Sequence, residues 1–183
     1  LEPTSPSSQT TTPKKIADMT LQFFDICHIL VLASSFPTAP SSSYVKKHWS
    51  RAYERILVCE KVAREARQQG VDIALAISVA AKETRFTNKT SPKGAKGPMG
   101  VLPKYHCPKK TAKGCDLIKA GVSALDKFLR HSQGDTCQAL AHYNAGYNGR
   151  CEDGRPEYDY YAVEVLEYYE MACAKAPDLC ASC

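Results

Sequence analysis

Glu83 is the residue whose type and setting first suggest chemistry. It stands near the end of the least polar stretch of the chain, Asp72 to Phe86, and just before the glycine-rich run from Gly94 to Gly100. A carboxylate at the end of a buried helix meets desolvation and the negative pole of the helix dipole, and both favour its protonated form. A carboxylic acid held that way at neutral pH can donate a proton to a leaving group. The plainer alternative is a solvated or ion-paired side chain, since Lys82 and Arg85 sit beside it. No other scheme competes strongly. The histidines show no ligand spacing, so neither a bound metal nor a cofactor is expected, and no Ser/His/Asp or Cys/His arrangement has local support. Asp116, Asp126 and Asp135 are the candidates for a second acid, but each reads more simply as a helix cap or a surface charge.

The elements that must position Glu83 read as helices. Apolar residues recur at helical spacing from Val45 to about Gln69, with Gly70 as the stop signal, and Asp72 is placed to cap the helix that carries Glu83. That second helix is apolar nearly all round, which marks it as central. Further helices are expected from about Asp116 to Arg130, from Thr136 to Asn144, and from about Pro156 to Ala174, with Pro156 suited to a first turn. The loop from Asn88 to Lys113 is too rich in Pro, Gly and Lys for a regular strand. The fold class is therefore mainly α, with at most a small β ribbon in that loop. A loop of this length inside a compact domain generally has a use.

Three regions are expected. Residues 1–15 read as a disordered leader, residues 16–43 as an N-terminal helix and linker, and residues 44–183 as the main domain with a Cys-rich tail. Ile16, Met19, Phe23, Cys27, Leu30 and Val31 favour an amphipathic helix over a signal sequence, and Leu1 in place of Met fits a processed or truncated product. No apolar run reaches the roughly 20 residues that span a bilayer. Nine cysteines without paired zinc-knuckle spacing point to an oxidising compartment. Cys107 with Cys115, and Cys137 with Cys151, each bracket a local loop that a bridge would staple. Cys27 and Cys59 are left as distant partners for Cys173, Cys180 and Cys183, and the odd count leaves one thiol over.

The net charge of +5 hides an asymmetry. Residues 82–119 carry ten Lys or Arg against Glu83 and Asp116 alone, whereas residues 152–170 carry seven acids against Arg155. The basic half should attract a polyanion. Its lysines are scattered among Gly and Pro, and no nucleic-acid-binding signature is present, so a nucleic acid is not the expected partner.

Taken in order, Glu83-Thr84, the loop Ser91 to Gly100, and Ala141-His142-Tyr143-Asn144-Ala145-Gly146 resemble the catalytic domain of soluble lytic transglycosylases. That family is lysozyme-like and related in fold to goose-type lysozyme. Its pattern is a Glu-Ser pair ending a helix, a Ser-x-x-Gly-Ala-x-Gly-x-Met-Gln loop, an Ala-x-Tyr-Asn-Ala-Gly segment and a later helix with a tyrosine facing the cleft. The segment from Glu157 to Val165 is similar to that last element and aligns Tyr161 with the cleft tyrosine. The resemblance covers residues 45–172. It departs at Thr84, which replaces Ser but keeps a hydroxyl, and at Gly100, which lacks the side-chain amide of Gln.

The resemblance implies a lysozyme-like helical domain with the Gly/Lys-rich loop over its cleft. It also implies cleavage of the β-1,4 bond between N-acetylmuramic acid and N-acetylglucosamine in peptidoglycan, leaving a 1,6-anhydro end. Glu83 would be the catalytic acid and base, with Thr84, Ser91, Met99, Gly100, Tyr143, Asn144 and Tyr161 at the substrate. Tyrosine rings can pack on pyranose faces, while hydroxyl and amide groups bond sugar hydroxyls and acetamido groups. The implied setting is periplasmic or extracellular, with glycan strands as partner and a secretion, conjugation or phage apparatus as the system served. A water-using muramidase and an inactive glycan-binding scaffold remain the alternatives.

Overall fold

The computed structural model describes residues 25–34, 42–151 and 160–180, with backbone alone for 42–50. The expected leader over 1–15, the chain up to residue 24, the stretch 35–41, Pro156 and Cys183 lie outside the described residues.

Among these residues the chain is mainly helical, as its periodicity suggests. A helical segment α1 (25–34) precedes α2 (Ser42–Gln69), α3 (Ile73–Thr84), α4 (Pro103–His106), α5 (Leu117–His131), α6 (Thr136–Ala145) and α7 (Tyr160–Lys175). Single 3-10 turns follow α6 and α7, at Gly146–Asn148 and Pro177–Leu179.

α3 lies at the centre. Every residue from Ala74 to Ala81 is buried, and its alanines let α2 and α7 pack against it closely. α5 packs on α2 and α6, and α6 also touches α7. One apolar core runs through the molecule, from Ile26, Leu30 and Val31 of α1 through α3 to Val165 of α7 and Leu179 beyond it. Asp72 caps α3 as expected, accepting the Leu75 N–H at 2.8 Å, and its other oxygen accepts the Tyr169 hydroxyl at 3.1 Å. Asp116 and Asp135 cap α5 and α6 in the same manner.

α3 stops abruptly. Arg85 and Phe86 adopt φ of 55° and 59°, and their N–H groups return to Ala81 and Ala80. Left-handed backbone is unfavourable for a bulky residue, at about 1–2 kcal/mol each. Burial of the Phe86 ring, which is 1% exposed, offsets that cost.

The expected ribbon in the Asn88–Lys113 loop shrinks to one antiparallel pair. Lys96 and Val101 exchange two backbone hydrogen bonds of 2.7 and 2.9 Å around the turn Gly97-Pro98-Met99-Gly100. Gly97 and Gly100 both have positive φ, and α4 begins at Pro103, so no length remains for a strand.

Four disulfides hold this frame. Cys107–Cys115 and Cys137–Cys151 are the two local staples read from the sequence. Cys27 and Cys59, expected as partners for the C-terminal cysteines, instead bond to each other and tie α1 to α2. Cys173 closes locally on Cys180 at the end of α7. Such a set is characteristic of an oxidising compartment. No helix among the described residues is long and apolar enough to cross a membrane.

Candidate active site

The last turn of α3 presents Glu83 to two other elements at once. Tyr161, in the first turn of α7, donates its hydroxyl to Glu83 Oε1 at 2.7 Å. On the other side the glycine-rich turn comes against the second oxygen. A Cβ built on Gly100 would overlap Oε2 and lie only 2.7 Å from Cδ. Gly100 also has φ of 61°, so two independent reasons require a residue without a side chain there. Glycine at this position is thus matched to where the Glu83 carboxylate lies.

Half-buried Glu83 holds its proton above the usual carboxylate range. Burial is the dominant cause, and it outweighs the hydrogen bond from Tyr161 and the charge of Lys82, which both favour the ionised form. Lys82 itself forms an ion pair with Glu164 of α7, so its ammonium is shared. The nearby Tyr143 hydroxyl is held far above its ordinary range, by burial first and by the Glu83 charge second, and so remains a donor. It donates to the Met99 carbonyl at 2.7 Å, which fastens α6 to the glycine-rich turn.

Thr84 fastens the same turn from the other end. Its hydroxyl donates to the Pro98 carbonyl at 2.7 Å and accepts the Thr87 N–H at 3.0 Å. The hydroxyl expected to meet substrate is thereby committed to the protein. Met99 is likewise not exposed at the site. Its side chain is fully buried against Gly121 of α5, where an added Cβ would lie 2.6 Å from its own, and only its carbonyl takes part in the site. Ser91 is exposed and closes the start of the loop, with Oγ accepting the Ala95 N–H at 3.0 Å. Asn144 is exposed at the end of α6. The structure therefore brings Glu83, Gly100, Tyr143 and Tyr161 together, uses Thr84 and Met99 to build the turn, and leaves Ser91 in a local structural role.

The acids considered as second carboxylates are engaged elsewhere. Asp116 and Asp135 cap helices, and Asp126 pairs with Arg130 at 2.6 Å. No group of three or more His, Cys, Asp or Glu among the described residues could hold a metal ion.

One buried group went unread in the sequence. His142 of α6 is 5% exposed, and both ring nitrogens have partners. The Gln138 amide nitrogen lies 2.7 Å from Nε2, and the Ser132 hydroxyl 3.3 Å from Nδ1. Gln138 is locked from its far side, since it donates to the Gly149 carbonyl at 2.9 Å and accepts the Cys151 N–H at 3.0 Å. With its amide fixed as a donor, Nε2 must accept, and the imidazole is neutral with its proton on Nδ1. Burial, and after it the charges of His131 and Arg150, hold the His142 pKa below the ordinary value of 6.5. The helical spacing of Gln138 and His142 was visible, but their partners across the Cys137–Cys151 loop were not.

The site offers one half-buried carboxyl group with a raised pKa, a tyrosine hydroxyl bonded to it, and a turn whose glycine makes room for the second oxygen. That arrangement can donate a proton and take one back. Compared with known proteins, the chain matches no family model, no curated protein and no solved structure.

Proposed function

We propose that this protein is a peptidoglycan lytic transglycosylase, with Glu83 as its sole acid and base. The observation that carries the proposal is the Glu83 carboxyl group, bonded to Tyr161 on one oxygen, set against side-chain-free Gly100 on the other, and pushed by burial above the usual carboxylate range. Glu83 donates its proton to the glycosidic oxygen as the bond from muramic acid C1 breaks, and the substrate's own N-acetyl carbonyl steadies the developing positive centre. The ionised Glu83 then takes the proton from the muramyl 6-hydroxyl as that oxygen bonds to C1. The products are a free N-acetylglucosamine hydroxyl and a 1,6-anhydro ring, and the acid is restored.

The engagement of Asp116, Asp126 and Asp135 favours this route over a muramidase that activates water with a second carboxylate. Four disulfides and the basic stretch 82–119 agree with a periplasmic or extracellular enzyme meeting an anionic wall polymer. Local wall opening for a secretion, conjugation or phage apparatus fits a domain of this size. The test is mass spectrometry of purified peptidoglycan after incubation with wild type and Glu83→Gln. Wild type should release anhydro-muropeptides and the variant none. Reducing ends would instead support the muramidase, and unaltered strands bound by both proteins would support a scaffold.

A further inference from the structure

A bank of aromatic rings leads away from the glycine-rich turn that packs against Glu83. Gly100, Val101, Leu102, His106, Phe128 and Tyr143 line a small cavity of about 40 Å³ beside the glycine-rich turn. Phe128 is its hub, with ring centroids 6.4 Å from His106, 6.2 Å from Tyr143 and 5.4 Å from Tyr147, all nearly edge-on. The bank reaches solvent at both ends. Tyr147 is 47% exposed and Tyr105 is 66% exposed, although exposed tyrosines usually find an apolar neighbour for their rings.

Each exposed ring has a cation over it. Lys127 Nζ lies 5.6 Å from the Tyr147 centroid, and Lys104 Nζ lies 4.6 Å from that of Tyr105. His131 stands edge-on to Tyr147 at 4.7 Å. Next along the chain, the Cys107–Cys115 bridge holds a loop with Lys109, Lys110 and Lys113 exposed. This surface suits an occupant with flat apolar faces and negative charge beside them. Pyranose rings bearing carboxylate substituents have that pattern, and the bank is continuous with the turn that faces Glu83.

We propose that Tyr147 and Tyr105, with Lys127 and Lys104 beside them, form an extended subsite for sugar units of an acidic glycan strand, outside the cleft that holds Glu83. The subsite rests on the proposed reaction only for the identity of that strand. Its contribution is affinity and register, so its loss should raise KM more than it lowers kcat.

The test is calorimetric titration of the Glu83→Gln protein with three probes: peptide-free peptidoglycan strands, neutral chitotetraose and a twelve-residue oligothymidine. Adding Tyr147→Ala or Tyr105→Ala should weaken binding of the strands by about 5-fold, as expected for loss of one aromatic platform. Lys127→Gln should weaken the acidic strands and leave chitotetraose unchanged. Tyr53→Ala, which removes an exposed ring from α2, serves as the control and should alter neither. Thermal melts establish that each variant is folded. Unchanged strand affinity in both tyrosine variants overturns the subsite, as does tighter binding of oligothymidine than of glycan. The two readings fail separately: a wild type that binds in this pattern yet cuts no strand refutes the reaction and keeps the subsite, while normal cleavage with an unaltered KM in Tyr147→Ala refutes the subsite alone.

Discussion

Gly100→Ala tests whether the Glu83 carboxylate lies where the structure puts it. The substitution has two separable costs. Backbone at φ 61° disfavours a Cβ by about 1 kcal/mol wherever it occurs. The new Cβ would also overlap Glu83 Oε2 and lie 2.7 Å from Cδ. The cheapest relief swings the carboxylate away from Tyr161, which breaks a hydrogen bond of 2.7 Å to a partly buried acid. Losing such a bond costs about 1–2 kcal/mol, so the total comes to about 2–3 kcal/mol. Gly70→Ala is the control, because Gly70 has φ of 69° and nothing within 4 Å of a built Cβ. At about 2–4 °C per kcal/mol for a chain of this size, Gly70→Ala should lower Tm by about 2–4 °C and Gly100→Ala by about 4–12 °C. The decisive comparison is a double-mutant cycle by urea unfolding. In a Glu83→Ala background the clash is gone, and Gly100→Ala should cost only its backbone share of about 1 kcal/mol. Equal costs in the two backgrounds would refute the contact between Gly100 and Glu83, whatever the protein's activity.

Four further outcomes follow from the same geometry. Because burial raises the folded pKa of Glu83, its ionisation opposes folding: the stability present below the ordinary value of 4.5 is lost as pH rises through the raised value. Glu83→Gln should then be more stable than wild type at pH 7 in urea melts and lose that advantage below pH 4.5, and a constant difference would argue against a raised pKa. Tyr161→Phe removes the bond that favours the ionised form, so the basic limb of any cleavage profile should move to higher pH, and a shift downward would contradict the assigned role. His142 has the opposite sign. Its folded pKa is depressed, so stability present above 6.5 should drain away as pH falls through the lowered value, and His142→Gln should flatten the slope of Tm between pH 7 and 5. Removing the Cys137–Cys151 bridge, of separation 14, should cost about 3 kcal/mol, and removing Cys27–Cys59, of separation 32, about 3.7 kcal/mol in the chain-entropy account, so calorimetry should rank them in that order.

The helical frame was readable because it depends on local signals. Asp72, Asp116 and Asp135 each precede an apolar run and each caps a helix, and the alanine-rich stretch before Glu83 packs at the centre as its all-round apolarity requires. Two disulfides were readable for the same reason, since their cysteines close short loops. Cys27 and Cys59 were misassigned because their pairing depends on how α1 lies against α2, a distance of 32 residues that no local rule reports.

The site divides along the same line. Glu83 stood out through what surrounds it in the chain, whereas the roles of Thr84 and Met99 depend on contacts with Pro98 and Gly121 that only the folded turn creates. Gly100 is the instructive case. Read along the chain, it is only a position without the side-chain amide that the resemblance leads one to expect. Placed against Glu83, it is the one residue type that lets the turn approach a carboxylate already bonded to Tyr161. A glutamine at that position would need both a different backbone angle and a different place for the acid. Gly100 and the position of the acid are therefore one structural choice, and Gly100→Gln should impair the site.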